Sequence, residues 1–413
     1  MVKRFMSIYP MALNRIGFAV LLFFSRGLIL AQSPVDQVLQ QAVNDTRLSS
    51  INQQLSYYNS NSFKSPAIRE LELRVRGNNF DLSPDNFSLR LGILNPNERT
   101  ANNIFNVAKE GYLLKTRDHL LNEILSEKYN GLINNFDLVT TLSLLQEEKN
   151  QIKAFELAQK GILVLNDWIK LDQTLLELRL KQADFESQIH TKNSKIMINN
   201  SLFLNVDWGE FELVTLDEIK STIALHSNKS FFLEVDLASE KLNLDRLKLN
   251  IDYAESWNIG FVQAGYDIDG GVGLKNQMDY RIGITIPLFN EDKPKLKREE
   301  LSLIGTANEL RHLEEINALI DLQRMKQFND LVLRYEMLLQ KEQELSNLAA
   351  GGVDGIDGFL ALSKYMTSVK KSLHKTNIKI LLLYIEILEK KGILGAEPYL
   401  NYLSKELNPF TFN

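Results

Sequence analysis

The 413-residue chain contains no cysteine. That excludes a disulfide framework, a thiol nucleophile, thiolate-held zinc or iron–sulfur clusters, and a lipidated N-terminal cysteine. Proline is scarce, with 9 residues, so long stretches run without a helix breaker. An excess of positive charge is missing too: 47 Lys+Arg stand against 52 Asp+Glu, a net charge of −5, and no nucleic-acid partner is expected. Beyond Ala31 nothing approaches ~18 uninterrupted apolar residues, so no later segment is expected to cross a membrane as a helix.

What is there begins with one N-terminal apolar run. Lys3, Arg4 and Arg15 precede Ile16 to Phe24, and Gly27 to Ala31 closes on small residues before Gln32 and Ser33. This is the pattern of a secretory signal, residues 1–31, cleaved after Ala31. The rest of the chain is therefore expected outside the cytoplasm.

Most of that remainder is helical in pattern. Only Gly111 and Gly131 interrupt the span from Pro96 to Lys160, and only Gly305 that from Pro294 to Ala350. A helix over about 64 residues, at ~1.5 Å each, is a rod on the order of 95 Å that no compact core contains. In the second rod Leu310, Leu313, Ile316, Leu319, Leu322, Met325, Phe328 and Leu331 recur every three residues. Such a stripe winds around its helix, which then needs partners on more than one side.

In two places the period changes to two. Leu71, Leu73 and Val75, then Phe87, Leu89, Leu91 and Ile93, alternate with Glu72, Arg74, Arg76, Ser88 and Arg90. The residues between, Gly77 to Pro84, form a turn, so this is a β-hairpin. A second hairpin runs through Trp257 to Tyr266, a turn at Asp267 to Gly271, and Tyr280 to Ile286. Alternation slips between Phe261 and Val262, which predicts a bulge or a shifted register there.

The hairpins match at a constant shift of 191 residues, Arg90-Leu-Gly-Ile93 with Arg281-Ile-Gly-Ile284, and the strand starting near Pro66 with that near Trp257. Gly161 with Gly352 and Trp168 with Phe359 keep the same shift. This predicts a duplicated unit: residues 32–213 (hairpin 66–95, tip turn 158–168) and 214–413 (hairpin 256–288, tip turn 349–359). Helices are expected over 34–60, 97–160 and 162–199, then 214–250, 294–350 and 357–391, with residues 200–208 joining two stacked shorter helices beside the long rod. The fold class is mainly α with a small β part.

Four strands with one apolar and one polar face cannot close into a barrel alone, and an open sheet edge cannot sit in lipid. Several protomers must pool their strands, and three would supply 12. At this point the chain resembles the TolC-type outer-membrane efflux family over residues 34–395. The likeness rests on the duplicated helix–hairpin–helix plan and on Ile284-Thr-Ile-Pro287-Leu288-Phe289-Asn290, similar to the family's strand-to-helix "PLF" hallmark. It also rests on glycine turns at 158–168 and 349–359 and on the closing helix Leu382 to Leu394. The first repeat departs from the hallmark, carrying Ile93-Leu-Asn-Pro96, and neither tip carries the family's full motif.

The resemblance implies a homotrimer with a 12-stranded β-barrel in outer-membrane lipid and a long α-helical barrel crossing the periplasm. It implies the exit duct of a tripartite efflux pump or type I secretion system, docked onto a periplasmic adaptor protein and an inner-membrane transporter. No catalysis and no cofactor are implied. The tip candidates are Gly161, Asp167, Gly351, Gly352, Asp354 and Asp357, whose aspartates either cap the following helices or form rings of carboxylate at the narrow end. Arg74, Arg76, Arg90 and Arg281 are expected to line the barrel lumen, either simply avoiding lipid or favouring anionic solutes.

Enzymatic patterns are thin. His119, His190, His226, His312 and His374 fall on expected helices without metal-ligand spacing and read as helix-surface residues. Ser372-Leu-His-Lys375 lacks a companion motif, and Asp267 to Gly270 lacks the distal glutamate of a calcium loop. The rival reading is a periplasmic coiled-coil scaffold or adaptor, which accounts for the rods but not for two amphipathic hairpins.

Overall fold

Ser33 and Pro34 start the first helix. The Ser33 hydroxyl accepts from the Asp36 N–H, the Asp36 carboxylate accepts from the Ser33 N–H, and proline occupies the first turn, where its missing donor costs nothing. The computed structural model describes residues 33–61, 66–76, 86–159, 164–197, 206–227, 232–255, 261–267, 278–283, 293–351 and 355–411. The signal segment, both hairpin turns, Gly161, Gly352, Asp354, Pro287, Leu288 and Phe289 lie outside them.

In chain order the elements are α1 (Pro34–Gln40), α2 (Thr46–Ser60), β1 (Ile68–Arg76), β2 (Asn86–Ile93), α3 (Pro96–Ala158) and α4 (Leu165–Met197). There follow α5 (Leu216–His226), α6 (Leu233–Glu255), β3 (Phe261–Asp267), β4 (Met278–Gly283), α7 (Lys293–Ala350) and α8 (Gly355–Lys390). The two long rods are single helices of 63 and 58 residues. Asn95 caps the first, its side-chain oxygen accepting from the Asn97 N–H at 3.0 Å.

Two of the expected helices are broken. The 34–60 segment splits because Asp45 takes an extended backbone and its carboxylate caps α2, accepting from the Arg47 N–H at 2.9 Å. The 214–250 segment divides into α5 and α6; α5 opens on a capping box between Thr215 and Glu218. The stacking holds. Near one end of α3, Lys149 reaches Gln182 of α4, whereas nearer the strands Lys115 pairs with Glu240 of α6 at 2.6 Å and Asn95 donates to the Ala254 carbonyl.

The four strands form one antiparallel sheet in the order β1-β2-β3-β4. The bulge expected at Phe261 and Val262 is absent: Phe261 pairs with Gly92 and Gly283, Val262 with Leu91 and Ile282, and the register runs on unbroken to Tyr266. The irregularity lies in β1 instead, between Ile68 and Glu70. The slip in alternation is real as sequence, but it comes from an aromatic residue standing on the polar face.

The main core lies midway along the rods. It gathers Val35, Val38 and Leu39 of α1, Leu121 to Ile133 of α3, Ile219 and Ile223 of α5, and Ile380 to Leu388 of α8. A second core near the turns holds Leu145, Ile152, Leu171, Leu175, Leu178 and Leu360. Helix α8 stops at a glycine with φ +65: the Gly392 N–H donates to Glu389 O and the Ile393 N–H to Leu388 O, each at 2.9 Å.

The residues after α8 have no helical or strand period, yet they tie the molecule's middle together. The Tyr129 hydroxyl donates to Leu400 O and accepts from the Tyr402 N–H. Asn401 donates to Asp36 at 2.7 Å, the Val214 N–H donates to Leu403 O, and the Lys405 N–H to Glu212 O.

Candidate functional site

The sheet is inside out compared with that of a soluble protein. One face carries Leu71, Leu73 and Val75, then Phe87, Leu89 and Leu91, then Val262, Ala264 and Tyr266, then Met278, Tyr280 and Ile282, all brought into line by the register. Much of this apolar face is open: Leu73 is 66% exposed and Ile282 82%. The polar face is the more covered one, with Glu72, Arg74, Arg90 and Gln263 only partly exposed and Ser88 buried.

On that polar face Glu72, Arg90, Gln263 and Arg281 form one row across all four strands, in register. Arg74 Nε lies 2.8 Å from Glu72, Arg90 3.9 Å from the same carboxylate, and Arg281 Nε 2.7 Å from Asp279. Of the arginines expected in the lumen, Arg74, Arg90 and Arg281 thus share one face, but carboxylates accompany them. Arg76 ends β1, paired with Asn86. Gln263 was legible as an alternate position of its strand, whereas Asp279 precedes the expected strand start at Tyr280 and enters because the strand begins at Met278.

At the other end the turns come together. Lys170 of α4 donates to both carboxylate oxygens of Asp357 in the first turn of α8, at 2.9 and 3.1 Å. That carboxylate holds the Lys170 ammonium above its ordinary range. Phe155 of α3 stacks on Phe359 of α8, with centroids 3.9 Å apart and planes 9° from parallel. Trp168, which matches Phe359 in sequence position, is instead 46% exposed, beside exposed Leu157, Val164 and Leu165. Asp167 sits in the first turn of α4, where a carboxylate complements the helix dipole. The Gly351 N–H donates to Leu348 O at the end of α7, and Gly355 opens α8 with φ +77.

Between the turns and the main core, α3 and α8 are joined by Lys370 with Glu147 at 2.6 Å, Lys371 with Glu148 at 3.0 Å, and His374 with Asp137 at 2.9 Å. His374 corrects the surface reading of the histidines: it is 9% exposed and packs edge-on against Phe136. Among the described residues no group of acids and histidines is arranged to hold a metal ion.

Two uninterrupted helical rods are joined to a four-stranded sheet with an open apolar face. The chain has the TolC-type fold of bacterial outer-membrane channels. It is similar to the outer membrane protein VceC of Vibrio cholerae, with 12% identity, TM-score 0.60, and 87% of this chain and 96% of that one covered. It is similar also to the MtrE outer membrane channel of Neisseria gonorrhoeae, with 11% identity, TM-score 0.59, and coverage of 90% and 91%. For the Campylobacter jejuni CmeC outer membrane channel the identity is 13%, the TM-score 0.56, and the coverage 87% and 85%. No protein-family model and no curated protein matches the sequence.

Proposed function

We propose that three copies of this chain pool their sheets into a 12-stranded outer-membrane barrel continued by a helical tunnel through the periplasm. The observation that carries this reading is the exposed apolar face, which in water would be a wide aggregation surface and in a bilayer is the barrel's outer wall. Both sheet edges, β1 and β4, lack a further strand among the described residues, which fits closure by neighbouring copies. Residues 1–31 serve export, with cleavage after Ala31. Residues 32–213 and 214–413 are the two copies of a duplicated unit.

In this arrangement the duct is passive and belongs to a tripartite export machine. Arg74, Arg76, Arg90 and Arg281 face its lumen. The narrow end carries Gly161, Asp167, Gly351, Gly352, Asp354 and Asp357, and a periplasmic adaptor docks there, leading to an inner-membrane transporter. The ion pair with Lys170 favours a structural role for Asp357 over a free carboxylate ring.

Fractionation and planar-bilayer recording test the reading together. The protein is expected in the outer-membrane fraction, soluble only with detergent, and conducting when reconstituted. Leu73→Arg, placing a charge on the lipid face, is expected to weaken insertion by up to ~2–4 kcal/mol, whereas Glu72→Gln on the opposite face leaves it intact. Recovery of the wild-type protein in the soluble periplasmic fraction sinks the channel reading.

A further inference from the structure

Among the described strand positions, the register places one apolar side chain on the polar face: Phe261. It pairs with Gly92 on one side and Gly283 on the other, in the row that adjoins the helices. The space beside it is already used. A Cβ at Gly283 would stand 2.3 Å from Phe261 Cε1, and one at Gly92 would stand 2.7 Å from Cγ of Glu70. The two glycines therefore make room for large side chains lying across the sheet's inner surface.

Arg90, in the next row, covers the ring, with its guanidinium carbon 3.9 Å from the ring centroid. A guanidinium over an aromatic face is held there by the ring's quadrupole. Its hydrogen-bonding capacity is underused: Nε is buried without an acceptor among the described residues, and the one carboxylate near it, Glu72, is 3.9 Å away. Avoidance of lipid explains Arg90 on this face but not Phe261, which would gain more by facing the acyl chains. Together they set a half-buried aromatic ring and a half-buried cationic side chain side by side on the sheet's polar face.

Building on the channel reading, we propose that Phe261 and Arg90 form a solute-contact site, one per protomer, where the barrel meets the helical tunnel. It takes solutes with a flat aromatic body and an anionic group. The exposed part of the ring packs against the aromatic body, and the terminal N–H groups of the guanidinium receive the carboxylate.

The test uses the full-length protein reconstituted in planar bilayers, with 1-naphthoate as probe and acetate and 2-naphthalenemethanol as controls at matched ionic strength. Naphthoate is expected to interrupt the wild-type current in a concentration-dependent way, acetate not at all, and the neutral alcohol at least tenfold less. Phe261→Ala and Phe261→Leu should each raise the half-blocking concentration at least tenfold, and Phe261→Tyr should restore it to within about threefold. Arg90→Gln, which keeps ring and glycines in place, should remove the preference for naphthoate over the neutral alcohol. Channels that naphthoate does not block, or blocks equally in wild type and Phe261→Leu, overturn the site while leaving the channel standing. A wild-type protein that never conducts overturns the channel reading instead.

Discussion

Trp208 and Asn135 are both buried, and each answers the other's need: the indole N–H donates to Asn135 Oδ1 at 2.7 Å. Removing only the donor strands a buried acceptor, so Trp208→Phe is expected to cost ~1–3 kcal/mol, read as a lowered unfolding midpoint in detergent. Asp45 offers a pH-dependent counterpart. The hydrogen bond from the Arg47 side chain, with the backbone N–H it also accepts, holds its carboxyl below the ordinary carboxylate range against a smaller cost of burial. A depressed carboxyl stabilises the fold fully above its unfolded value and loses that contribution as pH falls through the folded one. Hydrogen exchange should therefore show α2 opening only below the ordinary carboxylate range. Asp45→Asn, which keeps a cap but no charge, should remove that dependence, while Asp45→Ala also costs ~1 kcal/mol at neutral pH. The Trp208–Asn135 pairing is not legible in sequence: the two are 73 residues apart, and nothing local marks either as the other's partner.

The helices were far more legible. Rods of 63 and 58 residues follow from where proline is missing, and their ends from Asn95-Pro96 and from the glycines after Ala158 and Ala350. What sequence hid was the division before Leu233 and the splitting at Asp45, where a capping side chain outweighs a continuous apolar period. It also hid the segment after Gly392, whose order comes from single hydrogen bonds to Asn122, Tyr129 and Asp36. Gly392 itself is demanding. It adopts φ +65, and a Cβ there would meet the Leu233 side chain at 3.3 to 3.5 Å. Gly392→Ala should cost ~1–2 kcal/mol through the left-handed backbone alone, and Gly392→Asn less on that count; thermal melts of the two variants compare them.

The winding stripe on the second rod marks an unfinished surface. Phe328 and Val332 are buried within the chain, but Leu301, Ile304, Leu319, Leu322 and Leu333 of the same helix remain exposed. With the sheet's open face and edges, this is the part of the fold that a single chain leaves incomplete. If neighbouring copies cover the helix, Leu322→Glu should shift the detergent-solubilised protein toward monomer in size-exclusion chromatography with light scattering, with little change in its circular dichroism. The polar face of the sheet was legible from its alternation except at Phe261, where one aromatic broke the pattern and the register alone revealed which way it points.

The clasp formed by residues 395–411 has a bearing on how such a chain is delivered. It follows every helix and strand it binds, and it grips α1 through Asp36, α3 through Tyr129, and the segment before α5 at Glu212 and Val214. If the chain is delivered to the periplasm from its N-terminus, as the proposed function requires, the waist of the molecule stays unlocked until residues 395–411 arrive. Until then the elements that this segment binds lack the contacts that hold them together, so closure of the waist follows its arrival.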